Sequence, residues 1–148
     1  MNPQRLSTAA GGRVATMTMP ARPHILVDLY GCKPDRLDDR AGIERLLLEA
    51  AAMLGATVVG RVFHQFSPHG VTGILAIAES HLSAHTWVED GYAAIDLFMC
   101  NSNLTSEQIE AAIRRIAAFF GARGQIVSAL QRGLEAPVPP PEPGGGSH

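Results

Sequence analysis

Four strand-like runs follow one another between two amphipathic helices, and this order leaves a chain of 148 residues few ways to fold. The runs are Thr57 to Phe66, Val71 to Ala78, His81 to Trp87 and Tyr92 to Met99. Ser67-Pro68-His69-Gly70 reads as a turn between the first two, and Glu89-Asp90-Gly91 as a turn between the last two. Before them, Asp38 or Asp39 can cap a helix running to about Leu54, with Ile43, Leu46, Leu47, Ala50, Met53 and Leu54 on one apolar face and Gly55 as the stop. After them, Thr105 and Gln108 form a capping box, and Ile109, Ala112, Ile113, Ile116, Phe119 and Phe120 line a second apolar face that ends at Gly121. His24 to Tyr30 and Gln125 to Leu130 are outer strand candidates, the first closed by Gly31 and Pro34.

The resulting order, β-α-β-β-β-β-α-β, predicts an α+β fold: a two-layer α/β sandwich whose antiparallel sheet carries both helices on one face. The other face would stay open. Val71 to Ala78 is apolar on both sides, which predicts burial of that face against another subunit. The domain is expected over residues 22–133, with flexible segments at 1–21 and 134–148 rich in Gly, Pro and small residues. A net charge of −2 and no basic stripe argue against nucleic acid as a partner. No apolar run reaches the roughly 20 residues needed to span a bilayer, and residues 1–21 lack a secretory h-region. Two cysteines, Cys32 and Cys100, without a pairing pattern fit a reducing cytoplasm rather than a disulfide scaffold.

The segment from Glu79 to Trp87 carries the reactive groups. A serine next to a backbone carbonyl can attack it and turn the amide into an ester, but the planar, resonance-stabilised amide resists. The reaction needs a strained peptide, a proton-transfer group and a donor for the oxyanion. Ser80 follows Glu79 at the end of an apolar run, where a turn can hold strain. His85, five residues on, is expected to fold back as the proton-transfer group, and Thr72 to face the same spot from the neighbouring strand. Elimination from the ester would leave dehydroalanine, which hydrolyses to a pyruvoyl group. By themselves the residues have plainer readings. A serine in a strand is usually a serine, Cys100 alone would be a small buried hydrophobe, Cys32 is expected to be structural, and Trp87 packs. His24, His64, His69 and His81 lack the spacing of a metal cluster, so no metal is expected. Asp28 and Asp96 are strand acids with either a structural or a pocket role.

Five stretches in order resemble the prokaryotic S-adenosylmethionine decarboxylase family: Val27 to Cys32, Gly55 to Gly60, Phe66 to Gly73, Glu79 to Trp87 and Gly91 to Phe98. The resemblance covers His24 to Gly133. It implies a pyruvoyl-dependent enzyme of spermidine biosynthesis, made as a proenzyme that cuts itself after Glu79 into a β chain, 1–79, and an α chain, 80–148. It implies that Ser80 becomes the pyruvoyl cofactor and the Schiff-base partner of the substrate amine. His85 would be the processing histidine, Thr72 would stand where the family usually has a supporting serine, and Cys100 would protonate the product carbon. Phe66 would stack on adenine, with Trp87 and Glu89 in the segment that helps form the substrate pocket. A homodimer with pockets drawn from both subunits is implied as well.

The sequence departs from the family pattern at Val88, where proline is usual, and at Met99 and Asn101 on either side of Cys100, where threonine and glycine are usual. These positions border the pocket and bear on the substrate, so a pyruvoyl-dependent arginine or ornithine decarboxylase is the alternative. An uncleaved binding or regulatory relative is a third reading, of a different class.

Overall fold

The computed structural model describes residues 22–101 and 103–133; the segments expected to be flexible, 1–21 and 134–148, lie outside them. The chain forms β1 (Arg22–Tyr30), α1 (Pro34–Leu37), α2 (Arg40–Met53), β2 (Val58–Gln65), β3 (Val71–Ile77), β4 (Ser80–Trp87), β5 (Tyr92–Phe98), α3 (Ser106–Phe120) and β6 (Gly124–Arg132). The strands make one antiparallel sheet in the order β2-β3-β4-β5-β1-β6. This is the expected α+β architecture.

Side-chain alternation decides which face each residue meets. Ile25, Val27 and Leu29 of β1, Val71, Leu75 and Ile77 of β3, Leu82 and Ala84 of β4 and Ala93, Ile95 and Leu97 of β5 are buried with Ile43, Leu46 and Leu47 of α2 and Ile113, Ile116 and Phe120 of α3. The alternate residues lie on the face away from the helices. Several are apolar and exposed there: Val62, Ile74, Ile126 and Leu130.

The helix ends follow from the residues read as caps. Asp39 accepts the amide of Gly42 at 2.8 Å, and Thr105 closes the full capping box with Gln108. Gly121 takes the left-handed conformation at φ +61°, which a residue with a Cβ adopts only at a cost. The one element beyond the expected order is α1. Pro34 opens this single turn rather than closing the strand before it, because proline's fixed φ and missing N–H suit a first helical position.

Candidate active site

Two residues, Ala78 and Glu79, connect β3 to β4 between the paired Ile77 and Ser80. The amide of Ala78 is tied to the carbonyl of Thr57 at 2.8 Å. Glu79 has φ +74° and is the only non-glycine residue with positive φ among the described residues. Left-handed backbone costs an L-residue with a Cβ roughly 1–2 kcal/mol, so the Glu79-Ser80 peptide sits at a strained turn. The carbonyl oxygen of Glu79 accepts the Cys100 thiol at 3.3 Å. Cys100 reaches it because β5 ends at Phe98, next to β4, and Met99 continues the pairing by donating to Pro23 at 3.2 Å. The Ser80 hydroxyl is buried and has no hydrogen-bond partner, an uncommon state for a buried polar atom. A cavity of about 280 Å³ adjoins this peptide, lined by Thr57, Glu79, Cys100 and Asn101 among others.

A second group lies toward the opposite end of β4. Thr72 Oγ1 and His85 Nδ1 are 3.0 Å apart because the two residues face each other in the β3–β4 register. They line a pocket of about 310 Å³ with Phe66, His69, Trp87 and Glu89. His69 Nδ1 stands 3.3 Å from the Glu89 carboxylate. Trp87 stacks on Tyr92 at 5.2 Å, and Phe66 is half exposed with its ring edge-on to His64. The loop beneath is held by Asp38, whose carboxylate accepts the Gly70 amide at 2.9 Å and the Gln65 side chain at 2.6 Å.

Within one chain the two groups do not meet. Ser80 and His85 are five positions apart on one extended strand, roughly 17 Å at about 3.3 Å per residue. Five is an odd number, so the two side chains leave opposite faces of the sheet. Ser80 points with Leu82, Ala84 and Thr86 toward the helices, and His85 with His81, Ser83 and Trp87 away from them. The expectation that His85 folds back onto Ser80, with Thr72 facing the same spot, therefore fails for a single chain. A strand that keeps its ladder bonds cannot turn back on itself.

Several polar contacts escaped the sequence reading. Ser83 donates to Asp96 at 2.9 Å, and His24 Nε2 lies 3.2 Å from the other Asp96 oxygen. Tyr92 donates to Asp28. Burial, and then the bond to Asp28, push the Tyr92 hydroxyl above the ordinary tyrosine range. Burial also raises the Cys32 thiol, partly offset by a backbone bond from Ala93. The signal was the strand period: Asp28 and Asp96 share the open face with His24 and Ser83, so their roles were readable once register was fixed. Among the described residues no three His, Cys, Asp or Glu side chains cluster as a metal site.

The fold and site define a two-layer α+β protein whose reactive groups gather at one strained hairpin peptide and at a pocket further along the same strands. The family model for S-adenosylmethionine decarboxylase matches residues 23–133. A Pseudomonas aeruginosa (strain LESB58) S-adenosylmethionine decarboxylase proenzyme is 43% identical over 110 residues, covering 74% of this chain and 67% of that protein. The Methanococcus maripaludis (strain S2 / LL) proenzyme is 41% identical over 111 residues, covering 75% and 88%. The crystal structure of the adenosylmethionine decarboxylase from Aquifex aeolicus superposes with a TM-score of 0.70 at 30% identity, covering 83% of this chain and 99% of that one. The chain belongs to the S-adenosylmethionine decarboxylase family.

Proposed function

We propose that this chain is a cytoplasmic proenzyme that cleaves itself between Glu79 and Ser80 and then decarboxylates S-adenosylmethionine through a pyruvoyl group made from Ser80. The observation that carries the reading is the Cys100 thiol donating to the Glu79 carbonyl, at a peptide whose Glu79 lies at φ +74°. A donor on that oxygen draws charge from the carbon, and the strained turn lowers the cost of leaving planarity. The unpartnered Ser80 hydroxyl is the neighbouring nucleophile.

The Ser80 Oγ–C bond to Glu79 forms, the C–N bond breaks, and the serine proton passes by way of a base to the freed amine. Loss of the Ser80 α-proton then expels Glu79 as a carboxylate and leaves dehydroalanine. Water replaces its nitrogen, releasing ammonia and leaving the ketone of a pyruvoyl group. That ketone would supply, once joined to the substrate amine, an electron sink for the pair left on the substrate α-carbon as CO2 departs. Cys100, whose thiol donates to the Glu79 carbonyl in the uncleaved chain, would return a proton to that carbon.

The base comes from a second copy. Within one chain His85 cannot serve Ser80, but each copy carries a complete half-set, and the open sheet face has exposed Val62, Ile74, Ile126 and Leu130 to bury. Ser80 itself faces the helices, but it is the first residue of β4, so in a pair packed by that face the partner subunit's Thr72 and His85 would meet it at the strand end beside the Glu79 turn rather than through the sheet. The partner's Phe66, Trp87 and Glu89 then border the substrate, with Phe66 as an aromatic platform for adenine.

The test is a mass spectrum and an assay on one preparation. Fragments 1–79 and 80–148, the second with a blocked N-terminus, are expected. CO2 release is expected from S-adenosylmethionine and not from ornithine or arginine. Ser80→Ala should abolish both cleavage and release. An intact, active chain would sink the pyruvoyl mechanism, and release from ornithine or arginine alone would sink the substrate.

A further inference from the structure

On the helix layer, away from both groups of reactive residues, α1, α2 and α3 enclose a second kind of pocket. It has a volume of about 400 Å³ and is lined by Lys33, Arg36, Arg45 and Arg115, with Glu49 the only carboxylate in its wall. Its floor is Gly42, Leu46 and Phe119. Gly42 matters there: a Cβ on it would stand 2.9 Å from the Phe119 ring, so glycine lets α3 approach α2 and shapes the base.

Three of the four cations are held in place by their surroundings. The Lys33 stem lies against Gly121, where a Cβ would stand 2.9 Å from its Cγ, Cδ and Cε. The Arg36 guanidinium sits 5.3 Å from the centre of the Phe119 ring. Arg115 is fixed by Glu49 at 2.8 Å. Arg36 also has Asp39 at 4.0 Å, outside the pocket wall. Among the described residues, Lys33 and Arg45 have no carboxylate within 4.0 Å.

A solvated helix face normally interleaves its charges. Here a chain of net charge −2 concentrates four cations around one concavity with an aromatic floor. Like charges converging on a hollow raise its potential and favour an anion there. Glu49 answers Arg115 and Asp39 answers Arg36, which leaves an excess of two, carried by Lys33 and Arg45. A diphosphate presents one phosphoryl group to each of these two cations. We propose that this pocket is a binding site for a diphosphate group, with Lys33 and Arg45 supplying the charges that no carboxylate among the described residues answers and Arg36 and Arg115 flanking it.

The experiment uses the full chain as the uncleavable Ser80→Ala form, titrated calorimetrically at low salt with inorganic pyrophosphate, adenosine diphosphate and inorganic phosphate. One diphosphate per chain is expected, bound at least about tenfold more tightly than phosphate, a gap of about 1.4 kcal/mol. The Lys33→Gln/Arg45→Gln double variant should lose about tenfold or more in affinity for the diphosphate while its melting temperature without ligand stays unchanged. Arg114→Gln, whose side chain pairs with Glu110 outside the pocket, should bind as the parent does. Equal affinity for pyrophosphate and adenosine diphosphate means the free group suffices; tighter adenosine diphosphate names an ester as the source only where the double substitution removes it, and tight binding that persists there belongs to the adenine platform at Phe66 and counts against the site. Pyrophosphate no tighter than phosphate, or binding that survives the double substitution, would overturn the proposal.

Discussion

Glu79 combines a charged side chain with a backbone angle that glycine would hold more cheaply. In the Ser80→Ala background, Glu79→Gly should raise stability by about 1 kcal/mol, read by denaturant melting, because the left-handed penalty disappears. With Ser80 restored, the same substitution should slow self-cleavage, followed as the decay of intact chain; unchanged cleavage would separate the strain from the reaction. Tyr92 sets an alkaline limit. Its hydroxyl stays protonated in the fold beyond the ordinary value of 10.0, whereas an unfolded tyrosine loses its proton near about 10. The native state then holds more protons than the unfolded one, so its stabilising contribution is complete below about 10 and falls as pH rises through the raised folded value. Tyr92→Phe keeps the ring stacked between Tyr30 and Trp87 but removes the titrating group. Its melting temperature should fall less steeply than the parent's above pH about 10.

At the scale of elements, β4 is fastened at its far end by Thr86. Its hydroxyl donates to the Leu37 carbonyl at 2.7 Å and accepts the Val71 amide at 2.8 Å, joining α1, β3 and β4. Thr86→Val keeps the shape and strands both backbone groups, so a loss of about 1–3 kcal/mol is expected in denaturant melts. A loss within error would mean that water replaces the hydroxyl. The periodic elements were legible in the residues: the caps at Asp39 and Thr105, the stop at Gly121 and the four central strands fall within a residue or two of their readings. α1 was not, because four residues carry no period. The insertion of β1 between β5 and β6 was not either, since sheet order is set by long-range pairing that a local pattern does not encode. In the site, residue types and the hairpin position were readable. The Cys100 contact with Glu79 depends on how β5 ends beside β4, which spacing alone does not give. The opposite facing of Ser80 and His85 was available from the odd interval between them.

For the whole molecule, the proposed roles of Ser80 and His85, set apart within one chain, would make assembly a condition of chemistry. Mixing Ser80→Ala chains with His85→Ala chains after partial denaturation and refolding should restore cleavage, since a mixed pair keeps one intact Ser80 facing one intact His85. Each variant alone should remain whole on a denaturing gel. Failure of the mixture to cleave would place the histidine's action within its own chain.

The strand order also fixes what a cut after Glu79 would leave behind. The first piece would own β1, β2 and β3, and the second β4, β5 and β6. Yet β1 lies between β5 and β6, hydrogen-bonded to both, while β3 stays laddered to β4 across the former join. The halves are interlaced like the fingers of two hands. Broken covalently, the protein would remain one body, eluting as a single species in native buffer. Its pieces would part only when the sheet itself unfolds, and from then on refolding would become a bimolecular reunion whose yield depends on concentration.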